Sequence, residues 1–325
     1  MKKAIVLLLA LTVIGGAVFA QVKVNAYLNV GAMFTAGDGY TDVTTYSDDW
    51  LGGVGNYGFV NVSYAGDTAG FAFRMNGSSG TGTWVVGVGD AYGWVKPLAG
   101  LKVLAGYSYT ADFDGVDDDS NDYFDTTGAS AIYEIAGVKL GAGAVLNETA
   151  TNAGNLVAGA AYTNDMFKFR LSAQTSKVEL NKIAASVAVT AVPDLFISGG
   201  YLAENMTEAN LGAGVFSDVN NWIDATVKYT MGDLYAQAVM YYFLGKEYFT
   251  VAPRVGYKLA ENVTVYGQLK YESEGEVVNA LNPATFVPRV NVTYKPDAAT
   301  TTYVQFEYDT EAEVSKLMLQ YVFYF

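Results

Sequence analysis

The 325-residue chain has no cysteine and no histidine. The first absence excludes disulfides, thiolate nucleophiles and cysteine–zinc sites. The second excludes imidazole general bases, and with them any Ser–His catalytic pair. Proline is scarce at 6 residues, and charge is thin at 16% of the chain, against about 25% in soluble globular proteins. Bases are the scarcer sign, 19 against 33 acids, for a net charge of −14. Phosphate recognition needs a basic face, so a nucleic acid partner is excluded. Beyond residue 20 no apolar run approaches the roughly 20 residues of a membrane-spanning helix. What the chain does have is 25 tyrosines, 17 phenylalanines, 35 glycines and a mean hydropathy of +0.17. A chain both acidic and apolar on average needs a solvent other than water on one side.

The N-terminus reads as an export signal. Lys2 and Lys3 form a basic start, Ala4 to Ile14 an apolar core, and Val18-Phe19-Ala20 a peptidase-type site. The apolar run is shorter than a membrane anchor, and no cysteine follows it to carry a lipid. The expected organisation is a cleaved signal peptide over 1–20 and a single transmembrane β-barrel domain over 21–325. A cysteine-free exported protein also fits a bacterial envelope better than a disulfide-stapled secreted scaffold.

Period-two alternation runs through the remaining chain in segments of about 8–14 residues. Phe167, Phe169, Leu171 and Ala173 alternate with Lys168, Arg170, Ser172 and Gln174. Val304, Phe306 and Tyr308 alternate with Tyr303, Gln305, Glu307 and Asp309. A soluble sandwich also alternates, but these segments are as long as tilted membrane strands, which need about 9–11 residues. Connections alternate in length as well. Short ones fall at Gly66-Asp67-Thr68, Ala136-Gly137, Asn164-Asp165, Pro193-Asp194, Gly232-Asp233 and Glu261-Asn262, and longer polar ones at 37–50, 77–83, 112–124, 204–219 and 274–284. The expectation is all-β: a transmembrane antiparallel up-and-down barrel with short periplasmic turns and longer external loops. The count is about 18 strands, falling to 16 or 14 if the hairpins at 69–96 and 166–192 fail. One repeat is visible. Thr250-Val251-Ala252-Pro253-Arg254-Val255 recurs as Thr285-Phe286-Val287-Pro288-Arg289-Val290, a displacement of one hairpin.

The chain ends on Leu317, Leu319, Tyr321, Phe323 and Phe325, all on one face of a final strand. With the export signal, the alternation and the loop asymmetry, this tail resembles the Gram-negative outer-membrane porins, general-porin-like without a subfamily. The resemblance implies several things. Tyr321, Phe323 and Phe325 would be the signal read by the barrel-assembly machinery. The chain would sit in the bacterial outer membrane among lipid and lipopolysaccharide, as a monomer or homotrimer, and pass small hydrophilic solutes and ions by passive diffusion. The alternative is a non-conducting structural or adhesive surface barrel acting through its acidic loops.

A barrel of 16 or 18 strands leaves an aqueous channel, so selectivity would come from charge facing the lumen. By parity Arg170, Lys182, Lys228, Arg254, Lys270 and Arg289 face inward, and Arg254, Lys270 and Arg289 form a basic ladder on three consecutive strands. Opposite stands an acidic run in the third long loop: Asp112, Asp114, Asp117, Asp118, Asp119 and Asp122. Three readings of it stay open: a constriction folded into the barrel, as the resemblance implies, a solvated surface loop, or a divalent-cation site. The spacing is not that of an EF-hand. Tyr235, Tyr241, Tyr248, Tyr266 and Tyr303 read as a stacking track for sugars or as wall and interface girdle. No catalytic residue, metal site or cofactor is expected.

Overall fold

The computed structural model describes residues 22–37, 40–45, 56–79, 85–109, 113, 125–145, 155–176, 179–204, 220–244, 248–277 and 280–325. Residues 1–21, which hold the expected export signal, lie outside the described residues. In chain order the strands are β1 (Val22–Gly37), β2 (Tyr40–Thr45), β3 (Asn56–Ala65), β4 (Ala69–Ser79), β5 (Val85–Leu98), β6 (Leu101–Tyr109) and β7 (Asp125–Ile135). There follow β8 (Val138–Val145), β9 (Asn155–Thr163), β10 (Phe167–Ser176), β11 (Glu179–Val189), β12 (Leu195–Glu204), β13 (Asn220–Met231) and β14 (Leu234–Phe243). The last are β15 (Tyr248–Ala260), β16 (Val263–Glu272), β17 (Gly275–Val277), β18 (Ala280–Asn282), β19 (Thr285–Tyr294), β20 (Thr300–Asp309) and β21 (Val314–Tyr324).

Eighteen of these strands close into one antiparallel barrel. β1 pairs with β3 through Val22–Asn29 and with β21 through Tyr27–Ala36, so the first and last strands meet at a seam. β2 extends the sheet beside the outer end of β1, and β17 and β18 form a separate two-stranded ribbon. Both hairpins that made the strand count uncertain are present, as β4–β5 and β10–β11, with register shifts at Arg74/Met75 and Gln174/Thr175. Those irregularities break the alternation that a sequence reader follows.

The wall is amphipathic across its thickness. On β20, Thr301, Gln305 and Glu307 are buried on the inner face while Val304 and Phe306 are exposed on the outer. Side chains of the other barrel strands also alternate faces at period two, although the inner face includes buried apolar residues such as Leu202, Val239 and Met318. A lipid-facing wall explains why so many large apolar side chains are exposed, among them Val255, Phe286, Val290 and Leu317.

All six predicted short turns lie at one end of the barrel, joined by Ala99-Gly100 and 295–299. Turn chemistry fixes several of them. Ala136 and Gly137 both have positive φ, 50° and 80°, as a two-residue type I′ hairpin requires. Gly232 alone supplies it at Gly232-Asp233, with φ 59°. The predicted long connections leave the opposite end, but not all connections there are long: 177–178, 245–247 and 310–313 are as short as turns. The nine connections of that end carry 18 of the 33 acidic residues and two bases, Lys177 and Lys246. Apart from them and residues 1–21, the chain holds 15 acids and 15 bases. The net negative charge therefore belongs to one end of the barrel.

The repeat occupies equivalent places. Pro253 lies on the outer face of β15 and Pro288 on that of β19, each followed by an inward arginine. A proline cannot donate to a ladder. Pairing of β15 with β16 skips Pro253, and pairing of β19 with β20 begins at Arg289, just past Pro288.

Candidate functional site

Inward side chains from neighbouring strands stack into rungs. The longest charged rung runs through directly paired positions: Phe196 of β12, Lys228 of β13, Gln237 of β14, Arg254 of β15, Gln268 of β16 and Arg289 of β19. It continues through Glu307 of β20 and Lys316 of β21 to Thr35 of β1. Half the circumference is crossed by one polar band.

Within the band no base stands as a bare charge. Arg289 donates to Glu307 Oε2 from Nε at 3.0 Å and from Nη2 at 2.5 Å, and Lys316 Nζ donates to Glu307 Oε1 at 3.0 Å. Arg254 lies over the Tyr266 ring, 4.6 Å from its centroid, with Nη2 reaching Gln268 Oε1 at 3.5 Å. Lys228 lies 5.5 Å over the Phe196 ring. A ring face lowers the cost of holding a cation on a half-buried wall.

The predicted ladder is thus partly assembled. Arg254 and Arg289 share a rung, each paired with Gln268. Lys270 sits one rung nearer the long-connection end and bridges to Glu272 at 2.8 Å. Glu272 also accepts from the Tyr248 hydroxyl at 2.8 Å. Lys228 joins the rung through Gln237. Lys182 and Arg170 stand apart. Lys182 is bridged to Glu204 at 2.6 Å near the long-connection end. Arg170 donates to Thr163 Oγ1 and Phe169 O, both at 3.0 Å, near the turn end. Parity identified the inward bases but missed their carboxylate partners on adjacent strands, Glu204 and Glu307. Those were legible only through the register of β11 with β12 and of β19 with β20.

The five tyrosines all take inward positions, but they are dispersed over β14, β15, β16 and β20. Of the five, Tyr248 takes part in a continuous run of ring contacts. Trp222, Phe243 and Tyr248 follow one another on β13, β14 and β15, with centroids 5.8 and 5.5 Å apart. At the seam Tyr27 meets Phe59 at 5.3 Å and Tyr324 at 5.4 Å. At the C-terminus Tyr321, Phe323 and Phe325 face outward, and Phe325 is held in the ladder by two bonds with Ala26, at 2.8 and 2.9 Å.

Asp112, Asp114, Asp117, Asp118, Asp119 and Asp122 lie outside the described residues, and only Phe113 of that run is placed. Among the described residues no group of three or more acidic side chains is gathered as a metal ion would require.

A closed barrel of 18 antiparallel strands, apolar outside and polar within, has known counterparts among solved structures. Its fold is that of the outer-membrane porins. A loop L8 deletion form of OmpT, an outer membrane protein of Vibrio cholerae, superposes with a TM-score of 0.56 at 14% identity, over 94% of this chain and all of that one. Pseudomonas aeruginosa OccK8 (OprE) gives 0.62 at 9% identity, over 94% and 98%. A mutant Rh. blastica porin gives 0.53 at 14%, over 94% and 100%. The sequence matches no protein-family model and no curated protein. The porin likeness thus rests on architecture, which is what lipid constrains.

Proposed function

We propose that the chain is a bacterial outer-membrane porin, a non-enzymatic water-filled channel for passive diffusion of small hydrophilic solutes and ions. The observation that carries this reading is the polar band from Lys228 to Lys316 on the inside of an 18-strand wall. A barrel of this size is too wide for wall side chains alone to fill, and the Arg289–Glu307–Lys316 triad across β19, β20 and β21 would be costly to hold in a dry interior. The porin fold of the solved counterparts supports the same conclusion.

In this reading residues 1–20 are removed after export, and the C-terminal face of Tyr321, Phe323 and Phe325 is presented to the assembly machinery. The long acidic connections then meet lipopolysaccharide and the outside medium. Arg254, Lys270 and Arg289 act as pore charges. Planar-bilayer recording of the purified, folded barrel tests the channel, and a barrel that conducts nothing would refute it. Replacing all three bases with glutamine should raise cation over anion permeability in a salt gradient. An unchanged reversal potential would remove them from the conduction path.

A further inference from the structure

Charge on the inner wall is sorted along the barrel axis. Depth follows from the number of residues between a side chain and the short-turn end of its strand. Among the described residues, eight inward bases stand within three positions of that end, from Lys23 of β1 through Lys96, Lys102 and Lys168 to Lys258 of β15, against one inward acid, Glu134. Arg74, Arg254 and Arg289 follow at five or six positions. At seven to nine positions the balance reverses: Glu204, Asp224, Glu272, Glu307 and Asp309 stand against Lys182, Lys270 and Lys316.

Local contacts hold the two zones in place. Near the turns Lys96 and Lys102 lie 5.2 and 5.4 Å from the Trp94 ring centroid, and Lys228 lies over Phe196. Trp94 in turn lies across Gly70, where a Cβ would stand 2.5 Å from its Cζ2. Rings thus keep these cations against the wall. Glu134 approaches Lys139, at 4.0 Å. Farther in, Lys182, Lys270 and Lys316 are each bridged to a carboxylate of their own zone, at 2.6, 2.8 and 3.0 Å. That zone therefore keeps a negative balance, and the acidic connections extend it at the same end. The short turns carry six acids and one base, Lys295, beyond the strand ends. The positive zone is accordingly set back inside its mouth.

The middles of the two zones are six positions apart along a strand. At about 3.3 Å per residue on strands tilted by about 40°, that is about 15 Å along the axis. The Debye length is about 10 Å at 0.1 M salt and about 3 Å at 1 M. In dilute salt an ion in the lumen therefore meets two fields of opposite sign in turn.

We propose that this sorting makes the pore rectify, passing more current when the long-connection side is positive than when it is negative. At that polarity cations enter through the acidic zone and anions through the basic zone, and both collect where the zones meet. At the opposite polarity each ion is drawn out through the zone that concentrates it and repelled at the other mouth, so the junction is depleted. The inference rests on the channel reading and gives it a direction.

Single-channel current–voltage curves test it. The chain has no cysteine, so Asn262→Cys in a short turn, reacted with a membrane-impermeant thiol reagent from one chamber, reports which way each barrel is inserted. In about 0.1 M KCl the current should be about twofold larger with the long-connection side positive than at the equal and opposite voltage, and at about 1 M the two should converge. Replacing Lys96, Lys102, Lys168 and Lys258 together with glutamine should bring the ratio in dilute salt close to one, with circular dichroism checking the variant's strand content. A straight curve for the parent in dilute salt, a larger current at the opposite polarity, or a ratio unmoved in the folded glutamine variant would overturn the proposal. A folded parent barrel that passes no current would refute the channel reading itself, and this inference with it.

Discussion

Gln320 Nε2 donates to Asn29 Oδ1 at 2.8 Å across the seam, although the two residues are 291 positions apart in the chain. Both are at least 95% buried. They lie beside the ladder that joins β1 to β21, where Phe325 makes its backbone bonds to Ala26. Closing a barrel removes its last exposed edge, and this amide pair links side chains across that closure, as the Tyr27–Tyr324 ring contact does.

The pair gives a first prediction. Leucine at either position alone strands a buried amide and should cost about 1–3 kcal/mol, read as a lowered urea midpoint in lipid vesicles. Leucine at both removes the stranded partner and should cost less than the two single changes together. Strict additivity would show that the bond does not couple the strands.

Glu307 gives a second. Its two oxygens serve Arg289 and Lys316, and its side chain is 8% exposed. Glu307→Gln leaves two cations side by side with no counter-charge. A fully dry pair broken in this way loses about 3–5 kcal/mol. A wall bordering water should lose less, about 1–3 kcal/mol of unfolding free energy. The reversal potential should move toward anion preference, because this one acid neutralises the densest stretch of the band. An unchanged reversal potential would show that the triad does not border the conduction path.

These two cases show what sequence reading could reach. Alternation of the type Phe167-Lys168-Phe169-Arg170 announced barrel strands, because a wall between lipid and water forces period two on every segment. It placed Arg254 and Arg289 inward for the same reason. It could not couple Gln320 to Asn29 or Glu204 to Lys182, because such contacts depend on inter-strand register, which a single chain does not display. Phe113 escaped for another reason. An aromatic among aspartates resembles loop composition, and its burial against Leu104, Ile132, Val157 and Ala161 brings together residues of three strands that only the folded wall places side by side.

A third prediction concerns the interior aromatic rung. Trp222, Phe243 and Tyr248 form one aromatic patch of the inner wall, near the ends of β13, β14 and β15 away from the short turns. Trp222→Ala should cost about 3 kcal/mol or more of stability if the rung packs as a core does. Conductance should change little, since the polar band lies several residues further along the strands. A large rise in conductance with unaltered stability would instead make the rung part of the narrowest section.

The fourth prediction follows from charge position. The connections at one end hold 18 acids and two bases, while the wall, turns and opposite end balance at 15 and 15. A solute approaching from that end meets a negative mouth before it meets a wall of paired charges. Such a field acts over the Debye length, about 10 Å at 0.1 M salt and about 3 Å at 1 M. Cation preference should therefore be strong in dilute salt, about threefold or more above its value at 1 M. Replacing the six aspartates of 112–122 with asparagine should remove much of the difference. Millimolar magnesium should reduce the preference more from the acidic side than from the turn side, because the charge it screens is on one face of the membrane. A selectivity that ignored ionic strength would place the deciding charges on the wall, with Arg254 and its neighbours.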